Sequence, residues 1–319
     1  MIMRFWARLG PAAGILCSAV AMAGPVVVDA GLVEYTPRQG VSGTVKSAGS
    51  DSMVTMMTRW AEEFRREYPG VKVEVEGKGS STAPPALVES LAQFGSMSRD
   101  MKSSEAEVFE KKFGYKPTGL RVAIDALGVF VHKDNPLREI SLEQLATAFS
   151  VAGPDLTWGD LGVTEPGLKD KPLALYGRNS ASGTYGYFKE HALGKADFKA
   201  TVKEQPGSSG VVQAVATDVT GLGYSGVGYT TADVRMLAIT GGEGAAVEGT
   251  YDNCLSGEYP LARFLVVYIN KDPAAALDPL RGEFVRFIFS RQGQEAVVKD
   301  GYFPVTAGMA AEDLRKAGL

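Results

Sequence analysis

Two cysteines and two histidines are all that 319 residues offer of the side chains that most often ligate metals or serve as nucleophile and base. Neither His132 nor His191 stands in a metal-ligand spacing, so metal-assisted hydrolysis has no ligand set, and both are read as surface or helix residues. There is no Gly-x-Ser-x-Gly elbow and no Gly-Lys-Ser/Thr phosphate loop, which leaves a hydrolase only Ser, Asp and Arg to work with. No cofactor and no metal are expected. Net positive charge is also missing: the chain carries −4 at pH 7, which argues against a nucleic-acid surface. Any anionic ligand must then be held by local geometry, because the overall field repels it. Beyond the N-terminus no apolar run approaches the roughly 20 residues of a spanning helix, and there is no internal repeat or low-complexity tract.

The N-terminus supplies the compartment. Met1 to Arg8 holds two arginines and no acid, an apolar run follows from Leu9 to Ala23, and the run closes on Ala21-Met22-Ala23. That is a secretory leader, residues 1–23, with cleavage expected before Gly24. The residues ahead of Cys17 do not fit a lipid-attachment site. Losing Arg4 and Arg8 makes the mature chain two charges more negative, and of the cysteines only Cys254 remains. An exported product without an internal disulfide must rely on its core, and its length suits a large core in two domains.

Residues 24–40 are small, polar and aperiodic, and read as a flexible lead-in. From Val41 onward short apolar runs alternate with helical patterns, the signal of an α/β fold with mostly parallel strands. Thr44 to Lys46 suits a first strand. Met53, Met57, Trp60 and Phe64 recur at helical spacing within Asp51 to Glu67, and Tyr68-Pro69-Gly70 stops that helix. Val71, Val73 and Val75 alternate with charged residues as a strand. Pro84 and Pro85 suit the first turn of a helix starting near Ala83. Val122 to Val131 is a long apolar strand broken only by Asp125, and Ser141-Leu142-Glu143-Gln144 is a capping box. Phe264 to Ile269 forms a second long strand, followed by two helices. Two long strands flanking the middle of the chain suit a chain that crosses into a second lobe and returns.

Three segments share one grammar of strand, small hydroxyl or glycine residues, then helix. They are Gly49-Ser50-Asp51-Ser52-Met53, Gly77-Lys78-Gly79-Ser80-Ser81-Thr82 and Arg178-Asn179-Ser180-Ala181-Ser182-Gly183-Thr184. A helix N-terminus has unpaired backbone N–H groups and about half a positive charge; small residues let an anion reach them, and hydroxyls add donors. Any one of these segments alone reads as ordinary helix capping, and the three together point to an anion site. Arg178 and Arg99 supply guanidinium forks that match two oxygens of a tetrahedral anion, although a lone Arg99 also suits a structural pair. Asp51 repels a fully deprotonated ligand such as sulfate and accepts the proton of monohydrogen phosphate, so it selects for the latter. Alone it would also serve as a helix-dipole partner.

These segments, with Ser98-Arg99-Asp100-Met101, Trp158-Gly159-Asp160-Leu161 and Gly221-Leu222-Gly223-Tyr224, stand in the order and approximate spacing of the periplasmic phosphate-binding proteins of ABC transporters. The chain resembles that family from about Val45 to Gly301. The resemblance implies an α/β, two-lobed type II periplasmic binding protein fold with a hinge of crossing strands and inorganic phosphate in the cleft. Lobe 1 would comprise 41–124 plus 262–319, and lobe 2 would comprise 125–261. Matched by position, Ser50, Asp51, Ser52, Ser80 and Ser81 would bind from the first lobe, with Arg99 as a ligand supported by Asp100. Arg178, Ser182, Gly183 and Thr184 would clamp from the second. Ala83-Pro84-Pro85 replaces a commoner glycine-bearing stretch after Ser80. The implied partners are phosphate and the membrane permease subunits of an ABC importer, with no nucleic acid, and the implied state is a monomer. Rival readings are a receptor for sulfate, molybdate or another oxyanion, and a surface phosphate sensor or adhesive protein.

Overall fold

The computed structural model describes residues 26–242 and 244–319; the expected leader and its cleavage site lie outside the described residues. In chain order the first part of the molecule forms β1 (Gly43–Gly49), α1 (Val54–Glu67), β2 (Val71–Gly77), α2 (Ala83–Val88), β3 (Phe94–Met97) and α3 (Ser103–Phe113). Short 3-10 turns, Asp51–Met53 and Ser80–Thr82, open α1 and α2. Then come β4 (Thr118–His132), β5 (Glu139–Ser141), α4 (Leu142–Phe149), β6 (Ala174–Arg178), α5 (Gly183–His191), β7 (Lys203–Gln205), α6 (Gly207–Ala216) and β8 (Gly221–Gly226). The rest is β9 (Val234–Met236), β10 (Ala238–Thr240), α7 (Tyr251–Ser256), β11 (Ala262–Ile269), α8 (Pro279–Ile288), α9 (Arg291–Lys299) and α10 (Ala307–Lys316).

The predicted helix spacing around Trp60 is a core stripe: Met53, Met57, Trp60 and Phe64 are fully buried, each contributing about 1.5–3 kcal/mol of burial. Trp60 also donates its indole N–H to the Gly293 carbonyl at 2.7 Å, tying α1 to α9. The capping box holds as read, with Gln144 N–H donating to Ser141 Oγ and Ser141 N–H donating to Gln144 Oε1. Three helices follow β11, where two were expected. The third, α10, is capped by Thr306 Oγ1 accepting from Met309 N–H at 3.2 Å.

One sheet runs β2-β1-β3-β11-β4-β8-β6-β7, with β9 also on β4. The expectation of mostly parallel strands needs correction. β1/β2, β1/β3, β6/β7 and β6/β8 are parallel, but β11 is antiparallel to β3 and β4, and β4 to β8 and β9. The cause is topological: each parallel set is built by helical crossovers, whereas β4 and β11 carry the chain out of the first set and back. β4 is long enough to serve both halves, pairing with β11 from Thr118 to Ala126 and with β8 from Leu127 to Val131. Separate cores form on either side. One packs Trp60, Phe64, Phe94 and Phe284; the other packs Phe149, Trp158, Phe188 and Tyr224, with Phe188 stacked on Tyr224 at 4.0 Å. This is the two-lobed α/β arrangement, with the expected landmarks Trp158 and Gly221 to Tyr224 inside the second core.

Residues 26–40 lie along the body, contrary to a free lead-in. Tyr35 Oη bonds Tyr68 Oη at 2.8 Å and donates to Glu283 at 3.0 Å, and Asp29 accepts the Ala307 N–H at 2.9 Å. The strap spans the junction, since Val26 packs on the second core and Val28 on the first. Among the described residues no helix is long and apolar enough to cross a membrane.

Candidate anion-binding cleft

β1, β3 and β6 end facing one another across the junction of the halves, and each sends a short polar turn into a helix or loop. Ser50, Ser80 and Ser98 meet from the first side, with Ser50 Oγ donating to Ser98 Oγ at 3.0 Å and Ser98 N–H donating to Ser80 Oγ at 3.0 Å. From the opposite side Thr184 Oγ1 lies 2.9 Å from Ser52 Oγ, which lies 3.1 Å from Ser208 Oγ. All six hydroxyl residues are buried. The two walls touch: Ser81 N–H donates to the Ala181 carbonyl at 3.2 Å. Gly79, at φ +109°, has no room for a side chain, since a Cβ there would lie 2.5 Å from the Ala181 carbonyl oxygen.

Arg178, at the end of β6, projects into this hydroxyl ring. Its Nη1 donates to Ser208 Oγ at 2.7 Å, and its Nη2 contacts Asp51 Oδ2 in an ion pair. The pairing is one of proximity alone. Both Asp51 carboxylate oxygens and Arg178 Nε are buried without a well-formed hydrogen bond. Burial pushes the Arg178 guanidinium down to about 10, and the like charge of Arg263 adds to the effect, so the group stays charged at neutral pH. A protonated tetrahedral anion matches this donor set, because the guanidinium and hydroxyls can donate to its oxygens while Asp51 accepts its proton.

Backbone anchors hold Asp51 and Ser52 in place. Tyr302 donates to the Ser52 carbonyl at 2.7 Å, and Tyr229 to the Asp51 carbonyl at 3.2 Å. Ser182 caps α5, accepting from the N–H groups of Thr184 and Tyr185 at 3.1 and 3.4 Å. Gly183 packs directly against the opposite serines: a Cβ there would lie 2.2 Å from Ser80 Oγ and 2.6 Å from Ser98 Oγ.

A family model for the PBP superfamily domain matches residues 35–292. Over 320 aligned residues the chain is 50% identical to the phosphate-binding protein PstS of Pseudomonas aeruginosa, covering 98% of this chain and 99% of that one. This chain belongs to the PstS family. It is also 30% identical over 256 residues to protein SphX of Synechococcus elongatus, covering 78% of this chain and 74% of that one. An ABC-type phosphate transport receptor from Vibrio cholerae, 24% identical, superposes with a TM-score of 0.66 over 82% of this chain and all of that one, a likeness of fold.

Within this PstS-family cleft the structure gathers Ser50, Asp51, Ser52, Ser80, Arg178, Ser182, Gly183 and Thr184. It places Arg99 elsewhere. The Arg99 guanidinium forks onto Glu105, with Nη1 to Oε2 at 2.8 Å and Nη2 to Oε1 at 2.7 Å, and it also donates to the Asp100 carbonyl. Ser81 stands with it, its Oγ 3.4 Å from Arg99 Nη2. The cause is α3, whose first turn brings Glu105 against the loop after β3 and neutralises the arginine there.

Sequence reasoning missed Ser98, Ser208, Arg263 and Asp125. Ser208 had a readable signal: Gly207-Ser208-Ser209-Gly210 repeats the strand, small-residue, helix grammar after β7. Arg263 and Asp125 are charges inside apolar strands, opposite one another in register. Among the described residues no group of three or more His, Cys, Asp and Glu could hold a metal ion.

Proposed function

We infer that this chain binds inorganic phosphate as the monohydrogen anion between its two lobes and acts as the solute receptor of a phosphate ABC importer, without enzymatic turnover. The observation that carries the ligand assignment is the Asp51–Arg178 pair. One buried acceptor and one buried donor set share a hydroxyl-lined site, and their remaining polar atoms lack protein partners. Sulfate, with no proton at neutral pH, has nothing to donate to Asp51, whereas monohydrogen phosphate satisfies both sides. The ligand set is Ser50, Asp51, Ser52, Ser80, Arg178, Ser182, Gly183 and Thr184.

The lobes are 41–124 plus 262–319, and 125–261, with β4 near Val122 and β11 near Phe264 as the hinge. The division is supported by the two cores on either side of the junction. Contacts from both walls exist together only in the closed form, so the anion shifts the hinge equilibrium by its differential affinity. Export by the 1–23 leader would release the protein to the periplasm, where the closed form would meet the permease subunits. Affinity is expected at roughly micromolar or tighter, about −8 kcal/mol or better.

Calorimetric titration of the mature, phosphate-stripped protein at pH 7 tests this reading. One-to-one saturable phosphate binding without sulfate heat is the expected result. Sulfate binding in its place would overturn the ligand, and silence from both would overturn the receptor role.

A further inference from the structure

Arg263 stands at the start of β11, directly opposite Asp125 on β4. Their side chains are buried, at 2% and 0% exposure. Asp125 Oδ2 accepts from Arg263 Nε at 2.9 Å and Nη2 at 2.7 Å, while Asp125 Oδ1 accepts the Val227 N–H at 3.0 Å. Such a pair could merely fasten the two hinge strands. Two further bonds take it into the cleft. Nη1 donates to the Ser98 carbonyl at 2.7 Å on one wall, and Nη2 donates to Thr184 Oγ1 at 3.0 Å on the other.

The second of these bonds has a chemical consequence. A guanidinium can only donate, and a hydroxyl has a single proton. Thr184 Oγ1 must therefore accept from Arg263, and its own O–H must point elsewhere. Its other polar neighbour is Ser52 Oγ, 2.9 Å away and adjacent to Asp51 in sequence. With one lone pair held by Arg263, the Thr184 proton is directed away from the guanidinium, and Ser52 Oγ in the ring is the polar neighbour within reach of it. A serine or threonine left to rotate could equally present a lone pair, which an anion would repel.

We propose that Arg263, fixed by Asp125, is a positioning residue that orients the Thr184 hydroxyl toward the bound anion and makes that orientation available only when the walls close. The inference rests on the phosphate reading above. It makes the buried ion pair at the hinge part of the recognition apparatus, with its action routed through Thr184.

A double-mutant cycle in the full mature protein tests it. Arg263→Lys keeps a cation for Asp125 but not the fork that spans Ser98 and Thr184. It should weaken phosphate binding tenfold or more in calorimetry. Thr184→Val should do likewise, and adding Arg263→Lys to Thr184→Val should change affinity by no more than about twofold. With Thr184→Ser, which restores a hydroxyl, the arginine effect should return. Equal loss from Arg263→Lys with or without the hydroxyl would overturn the proposal. So would a lowered melting temperature with unchanged phosphate affinity, the signature of a strand fastener. Should Arg263→Lys not fold, Asp125→Asn takes its place in the same cycle, with the same two outcomes. Phosphate binding by the wild type with an additive cycle would sink this inference alone, whereas a wild type that binds no phosphate would sink the functional reading with it.

Discussion

Gly183→Ala separates the closed state from the fold. The glycine opens α5 and faces the opposite wall, where an added Cβ would lie 2.2 Å from Ser80 Oγ, 2.6 Å from Ser98 Oγ and 2.9 Å from Ser80 Cβ. Rotating Ser80 cannot relieve the contact with its own Cβ, and it would break the bond from Ser98 N–H to Ser80 Oγ. The walls must instead separate by a few tenths of an ångström or more. Overpacking of this kind costs about 1–3 kcal/mol, which is roughly a fivefold to 150-fold loss of affinity. The cost falls only on the closed form, because the same methyl group faces solvent when the walls part. Phosphate affinity by calorimetry should therefore fall in that range, while the melting temperature of the phosphate-free protein should change by only a degree or two if the free protein is open. Affinity within twofold of wild type would refute both the tight apposition of Gly183 and the closure mechanism.

Asp51→Asn should narrow the preference for phosphate over sulfate by tenfold or more, since a hydrogen bond to a charged group contributes about 1.5–3 kcal/mol. Competition titrations of both anions would measure the ratio, and an unchanged ratio would reduce Asp51 to a helix-dipole partner. Glu105 provides a pH test. Partial burial raises its pKa, but the bonds from Arg99 and the Lys102 N–H outweigh burial and leave it below the ordinary value. A carboxyl depressed in the folded state contributes stability above its unfolded pKa, about 4.3, and loses it as pH falls through the folded value. Glu105→Gln should therefore melt below wild type at pH 7, with the gap closing toward pH 3. A gap independent of pH would mean that the Arg99–Glu105 bonds do not depend on charge.

Arg178 and Arg99 show how far residue type alone carries an assignment. Both are arginines at the end of a strand, and both are almost fully buried. One meets a ring of hydroxyls and a single incompletely bonded carboxylate. The other meets Glu105, which satisfies its fork. Nothing local distinguishes them, because the distinction is made by the helix that packs beside each.

What the sequence determined by itself is whatever depends on neighbours along the chain. The α1 core stripe, the Ser141 capping box, the long strands around Val122 and Phe264, and three of the small-residue turns all follow from periodicity and local hydrogen bonding. Tertiary structure alone decided which turns face one another across the junction. It also decided that residues 26–40 lie as a strap and that the central strands run antiparallel. The pairing of Arg263 with Asp125 belongs here too, since those residues stand far apart in the chain and meet only through the register of β11 on β4. A buried charge in an apolar strand signals that some partner exists, because burying it unpaired costs too much. The identity of that partner is a matter of geometry, and geometry is what the packed sheet supplies.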